Sequence, residues 1–223
     1  IDRQLLILGA LAVVLLVLVI VGVSSCVRGC SSDPAQSANP VDSRVAAGVS
    51  EELTQQFATE LNRDEKLASI AATADRYADT GLLELALSVP EAIDFVAAYP
   101  DAEKTAQPYG DTVTQGEAPQ LWCWDARWGN VDYAGRALAI TGSGPTALSM
   151  AYMGLTGNND KSPADLAQQV SEANAATGDS AMAASFLESS AEGLGLSYRS
   201  YTSNADNLSQ ALDAGTYVLL ETK

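Results

Sequence analysis

The 223 residues contain no histidine, and only 12 lysines and arginines stand against 28 aspartates and glutamates, for a net charge of −16. A chain so poor in positive charge lacks the basic footprint that releases counterions from phosphates, which excludes nucleic acid as a partner. The same balance disfavours anionic lipid surfaces, and acidity at this level serves to keep an exposed domain soluble. Three cysteines are too few for a disulfide framework. Without histidine, a structural zinc would need all three cysteines and a carboxylate drawn from distant segments, so no metal and no cofactor is expected.

Several motifs are missing as well. No Lys-Ser or Lys-Thr pair follows the glycines of residues 142–144, which removes a phosphate-binding P-loop. The spacing there is also not that of a G-x-S-x-G nucleophile elbow. Asn158, Asn159 and Asp160 lack the spaced oxygens and closing glutamate of a calcium loop and read as a turn. No internal repeat is visible.

What is present begins with residues 5–23, an uncharged, proline-free apolar run. As a helix it would rise about 28 Å, close to the hydrocarbon thickness of a bilayer. Its length favours a retained anchor over a cleaved secretory signal. Val23-Ser24-Ser25-Cys26 resembles a lipobox, which makes Cys26 a candidate for lipidation. Arg3 and Arg28 flank the run and cancel as topology signals. Export is inferred from an N-terminal anchor, which displays the remainder outside the cytoplasm.

The chain divides by composition into residues 1–30 as anchor or lipoprotein signal, 31–49 as a flexible stalk, 50–110 as a helical leader and 111–223 as the main domain. In the leader, Ser50 followed by Glu51 and Glu52 caps a helix whose Leu53, Phe57 and Leu61 recur at helical spacing. Further helices are predicted over 64–77, 82–87 and from Pro90 to Tyr99. Beyond a loop with Pro108, Gly110, Gly116 and Pro119, helices are predicted over 143–154, 162–172, 180–191 and 207–212. Strands are predicted over 196–201 and 217–221, giving an α+β domain whose sheet packs on an early helix. The chain begins at Ile1 and stops at Lys223 directly after a strand-like run, so both ends read as cut.

The stretch that carries chemistry is Gly142-Ser143-Gly144-Pro145-Thr146-Ala147-Leu148-Ser149-Met150. A small polar residue between glycines opens an apolar helix, whose N-terminus lowers a thiol pKa and offers N–H groups to a developing oxyanion. Pro145 costs nothing in that first turn, and the glycines let another backbone approach. On these residues alone the stretch reads first as a capped buried helix, with the functional reading second to it.

Trp124-Asp125-Ala126-Arg127-Trp128-Gly129, then Tyr133-Ala134-Gly135, then residues 142–150 together resemble the C39-like family of bacterial cysteine peptidases. Residues in the 67–99 region resemble the helical leader of related proteins. The resemblance implies a papain-like fold, with Ser143 in the nucleophile position, Cys123 where a glutamine polarises the scissile carbonyl, and Gly142, Gly144 and Trp124 lining the substrate groove. It also implies a catalytic histidine beyond the region of the last predicted strand.

Two departures matter. A serine in a site shaped for a thiolate cannot form the ion pair with histidine, so activity should fall by orders of magnitude. Loss of the glutamine at Cys123 compounds it, and a paired change favours natural loss over an engineered exchange. Cys123 beside tryptophans reads as a packing residue. Asp125 and Arg127 read as a structural pair.

The expectation is therefore a membrane-tethered, extracytoplasmic protein with a C39-like domain of weakened peptidase chemistry that binds peptide or protein segments at the cell surface. The alternatives are an active peptide hydrolase and a non-enzymatic adhesion module.

Overall fold

A computed structural model describes residues 38–177 and 182–220 of the chain. The apolar run, Cys26, Cys30 and the first part of the stalk lie outside these residues, as do Ser180 and Glu221 at the edges of two predicted elements. Among the described residues no helix is long and apolar enough to cross a membrane.

The leader folds as four short helices. Helix α1, Glu51–Glu60, is capped by the Ser50 hydroxyl, which accepts from the Leu53 N–H at 3.3 Å, with Glu51 and Glu52 at the positive end of its dipole. Asp64 caps α2, Glu65–Ala72, accepting from the Lys66 N–H at 2.7 Å. Asp79 caps α3, Thr80–Ser88. Pro90 ends that run and opens the turn into α4, Ile93–Ala98. Because the apolar residues recur at helical spacing, the four helices close on one core in which Phe57, Leu67, Leu82 and Val96 are wholly buried.

A second core follows the linker. The two-residue strands β1, Asp132–Tyr133, and β2, Arg136–Ala137, form an antiparallel hairpin pairing Asp132 with Ala137 and Tyr133 with Arg136. Helix α5, Leu138–Thr141, leads through Gly142 into α6, Ser143–Thr156, which packs on α7, Pro163–Glu172. Ser162 and Asp165 form a complete capping box at the start of α7. Trp128, Leu138, Met153, Leu166, Val170 and Phe186 fill the space between these elements, and α8, Ala184–Ser190, and α9, Ala205–Asp213, complete the chain.

The two cores interlock through one segment. Ala137 and Ala139 are buried in the first core, with Ile140 and Trp124 packed against it, whereas Leu138 and Trp128 are buried in the second. At Gly129 the fit is tight: a Cβ there would stand 2.8 Å from the Phe95 ring and 2.9 Å from the Cys123 carbonyl. The Arg136 fork closes the seam on Asp79, donating from Nε to Oδ2 at 2.7 Å and from its terminal nitrogen to Oδ1 at 2.6 Å.

The predicted helices appear with shifted ends, but the predicted strands do not form a sheet. Residues 196–201 are assigned to no strand, and neither are the described residues of 217–221. The hairpin at residues 132–137 is the sheet that the described residues contain, and they do not display a papain-like sheet. A strand needs a neighbour to satisfy its backbone, and β-patterned sequence alone supplies none.

The Arg136 hydrogen bonds hold the Asp79 carboxyl below its ordinary value, against the opposing effect of burial. A depressed carboxyl stabilises the fold above the unfolded carboxyl range and loses that contribution as the pH falls through its folded value. A double-mutant cycle with Asp79→Asn and Arg136→Gln, read by urea denaturation, should give a coupling of about 0.5–1 kcal/mol near neutral pH. It should vanish in acid, below the folded value of Asp79.

Candidate functional site

The aromatic turn of residues 122–131 is built by its own backbone. Trp128 N–H and Gly129 N–H both donate to the Asp125 carbonyl, at 3.0 and 2.7 Å, and the Trp128 indole N–H donates to the Trp122 carbonyl at 2.8 Å. Burying Trp128 completely therefore leaves no polar atom of its ring unpaired. Trp122 and Trp124 stack with centroids 4.8 Å apart, and Trp122 is 47% exposed.

Arg127 locks this turn. Its guanidinium takes Asp125 in a bidentate grip, donating to Oδ1 at 3.0 Å and Oδ2 at 2.6 Å. It also donates to the Tyr109 carbonyl at 2.8 Å and to Asp111 at 2.9 Å, and it lies over the Trp128 ring at 4.6 Å. Burial alone would raise the Asp125 carboxyl, but the Arg127 hydrogen bonds outweigh it and hold the group below its ordinary value. Asp125 and Arg127 are thus committed to each other and to the linker.

The turn is joined to the foot of α6 through the backbone. Ala139 N–H donates to the Gly129 carbonyl at 3.1 Å and Leu138 N–H to the Val131 carbonyl at 2.8 Å. Between them, Thr141 donates from its hydroxyl to the Tyr133 carbonyl at 2.9 Å. Gly142 then caps α6 without a side chain, and none would fit: a Cβ there would stand 2.5 Å from both the Leu138 carbonyl oxygen and its Cδ2. Steric demand, rather than a left-handed backbone, is what calls for glycine at this position.

Helix α6 begins at Ser143, which is exposed between buried Gly142 and half-buried Gly144. Pro145 and everything inward of it on the core face are buried. The first N–H groups of a helix have no intrahelical acceptor, and with glycine as the cap no side chain takes them. The result is an accessible hydroxyl beside the positive end of a 14-residue helix. The sequence contains no imidazole to deprotonate that hydroxyl.

The remaining predicted site residues fall on different sides of the turn. Trp124 packs towards the leader core and Cys123 towards the second core. Burial pushes the Cys123 thiol above its ordinary value, and its backbone hydrogen bonds offset this only in part. The thiol therefore stays protonated near neutral pH and is a packing group. Among the described residues no hydrogen bond joins Ser143 to Cys123 or Trp124, and no cluster of acidic, cysteine or histidine side chains is placed to hold a metal.

Two polar atoms were not singled out by sequence. Thr146 Oγ1 and Asn130 Oδ1 are buried without hydrogen-bond partners. Thr146 sits one turn into α6, so its side chain leans back over Gly142 and Ser143. The one signal for it was a threonine inside the first turn of an otherwise apolar helix. An open depression of about 530 Å³, lined by Glu188, Glu192 and residues 196–200 among others, includes none of the motif residues.

Comparison with known proteins finds no family model, no curated protein and no solved structure that matches this chain.

The electrostatics of the two positions separate them experimentally. In the Ser143→Cys variant the new thiol, exposed at a helix N-terminus, should react with iodoacetamide at least about tenfold faster than Cys123 near neutral pH. Peptide mapping by mass spectrometry reads both sites in one sample. Equal rates would contradict the exposure of position 143 and the burial of Cys123.

Proposed function

We propose that this chain is a membrane-tethered, extracytoplasmic protein with a C39-like, papain-type domain whose peptidase chemistry is weakened or lost, and that it binds peptide segments at the cell surface. The observation that supports this reading is the exposed Ser143 hydroxyl at the start of the apolar helix α6, between two glycines, behind the aromatic turn. A helix N-terminus with unpaired N–H groups suits a peptide carbonyl, and the stacked, partly exposed tryptophans offer an apolar wall. The membrane tether rests on the apolar run of residues 5–23, and lipid attachment at Cys26 rests on the lipobox-like residues before it.

A serine lacks the acidity for thiolate chemistry, which supports binding with weakened turnover at this position. One observation favours the adhesion-module alternative: the open depression by Glu188 and Glu192 lies apart from every motif residue.

The full-length protein should bind unstructured peptides without cleaving them, and Ser143→Cys should restore slow hydrolysis, as read by mass spectrometry of the peptide products. Turnover by the unaltered protein that disappears in Ser143→Ala would establish an active serine hydrolase and sink the weakened-enzyme reading. Absence of both binding and hydrolysis in all three proteins would favour the adhesion module.

A further inference from the structure

A threonine inside a helix commonly gives its hydroxyl to the carbonyl four residues back, and this chain follows that habit elsewhere. Thr73 donates to the Ser69 carbonyl at 2.8 Å, Thr141 to the Ala137 carbonyl at 3.3 Å, and Thr156 to the Tyr152 carbonyl at 2.7 Å. Thr146 departs from it. The carbonyl four residues back is that of Gly142, which accepts the Thr146 N–H at 2.9 Å but not the hydroxyl. The side chain is 5% exposed and its Oγ1 has no hydrogen-bond partner. A buried hydroxyl left unpaired costs stability, and valine would fill nearly the same space without that cost.

The position of Thr146 gives the exception a meaning. It is the fourth residue of α6, and the Cα–Cβ bonds of a helix tilt towards its N-terminus, so the side chain leans over the first turn. That turn has no side-chain cap, and its cap residue cannot acquire one, because a Cβ at Gly142 would meet Leu138 at 2.5 Å. Pro145 brings no N–H, so the first turn offers the N–H groups of Ser143 and Gly144. The exposed Ser143 side chain adds a second hydroxyl.

These donors outnumber what one peptide carbonyl can accept. A carbonyl oxygen carries two lone pairs, whereas a carboxylate offers two oxygens and about four acceptor positions, enough for two N–H groups and two hydroxyls. Charge narrows the guest further. No lysine or arginine stands between Arg136 and Lys161, and the chain as a whole carries −16, so a dianion finds no counter-charge there. The helix end supplies about half a unit of positive charge, which suits a single negative one. A peptide carries such a group on its backbone at its C-terminus.

We propose that the first turn of α6 captures the C-terminal carboxylate of a peptide, with the Thr146 hydroxyl as the donor that the free protein leaves unspent. The inference rests on the peptide-binding reading of this helix end and narrows it from a segment to a chain end. Backbone N–H groups at a helix start and two flanking hydroxyls together take both carboxylate oxygens.

The test uses the full chain, labelled with nitrogen-15 in neutral detergent micelles, titrated with N-acetyl-trialanine and separately with its C-terminal amide. The acid should shift the Ser143 and Gly144 amide signals saturably, and the amide should bind at least about tenfold more weakly. Thr146→Val should weaken binding of the acid about tenfold without lowering the Tm, since it removes an unpaired buried group. Thr146→Ser, which keeps the hydroxyl, should retain affinity within about twofold. Equal affinity for acid and amide would overturn the carboxylate proposal and leave peptide binding at the helix end standing. Absence of shifts with either probe up to about 10 mM would overturn both. Unchanged affinity in Thr146→Val, or weaker binding accompanied by a fall in Tm that Thr146→Ser does not repair, would overturn the part assigned to Thr146.

Discussion

Two cores share one stretch of backbone, and that sharing governs the rest of the structure. Between Trp128 and Gly142, successive residues are buried on opposite sides: Ala137 and Ala139 in the leader core, Leu138 and Trp128 in the other. The hydrogen bonds from Leu138 and Ala139 to the carbonyls of Val131 and Gly129 hold the stretch in register. A residue can face alternate cores only if the chain between them is fixed, so the foot of α6 inherits its position from both. The leader is accordingly a structural wall of the domain, not a detachable spacer.

The linker acts from the other side. Arg127 holds it through the Tyr109 carbonyl and Asp111, Gln115 reaches the Leu155 carbonyl at 2.9 Å, and Gly116 donates to the Gly154 carbonyl at 2.7 Å. Gly154 has no room for a side chain there, because a Cβ would stand 2.9 Å from Ala118. The strap thus covers the C-terminal end of α6 and leaves its other end, about 20 Å away, open at Ser143. Covering one end and exposing the other turns a core helix into a presenting element.

Much of the helical content was legible because helices announce themselves locally. Ser50, Asp64, Asp79 and Ser162 are caps that any sequence reading can find, and the Leu53, Phe57, Leu61 stripe is buried as its spacing implies. The hairpin was not legible as structure. Its two-residue turn places Ala134 at φ of +54° and Gly135 at φ of +79°, and alanine is an unusual choice for such a turn. The strand candidates carried the right pattern, but pairing is a non-local property that no window of sequence contains. At the site, Ser143 at the start of an apolar helix was readable, but glycine at 142 was read as room for another backbone, whereas the fit against Leu138 is what calls for it. The orphan Thr146 hydroxyl depends on what surrounds it, which only the folded chain defines.

If the leader helices fix the start of α6 through the shared stretch, loosening the leader must loosen that start as well. Native-state hydrogen exchange on Leu82→Ala tests this most directly, since Leu82 is wholly buried in the leader core and belongs to no part of the candidate site. Removing that side chain should cost about 2–5 kcal/mol. Protection of the Leu138, Ala139 and Thr146 amides should then fall together with that of the leader helices. Loss of protection confined to the leader, with those three amides unchanged, would contradict the coupling.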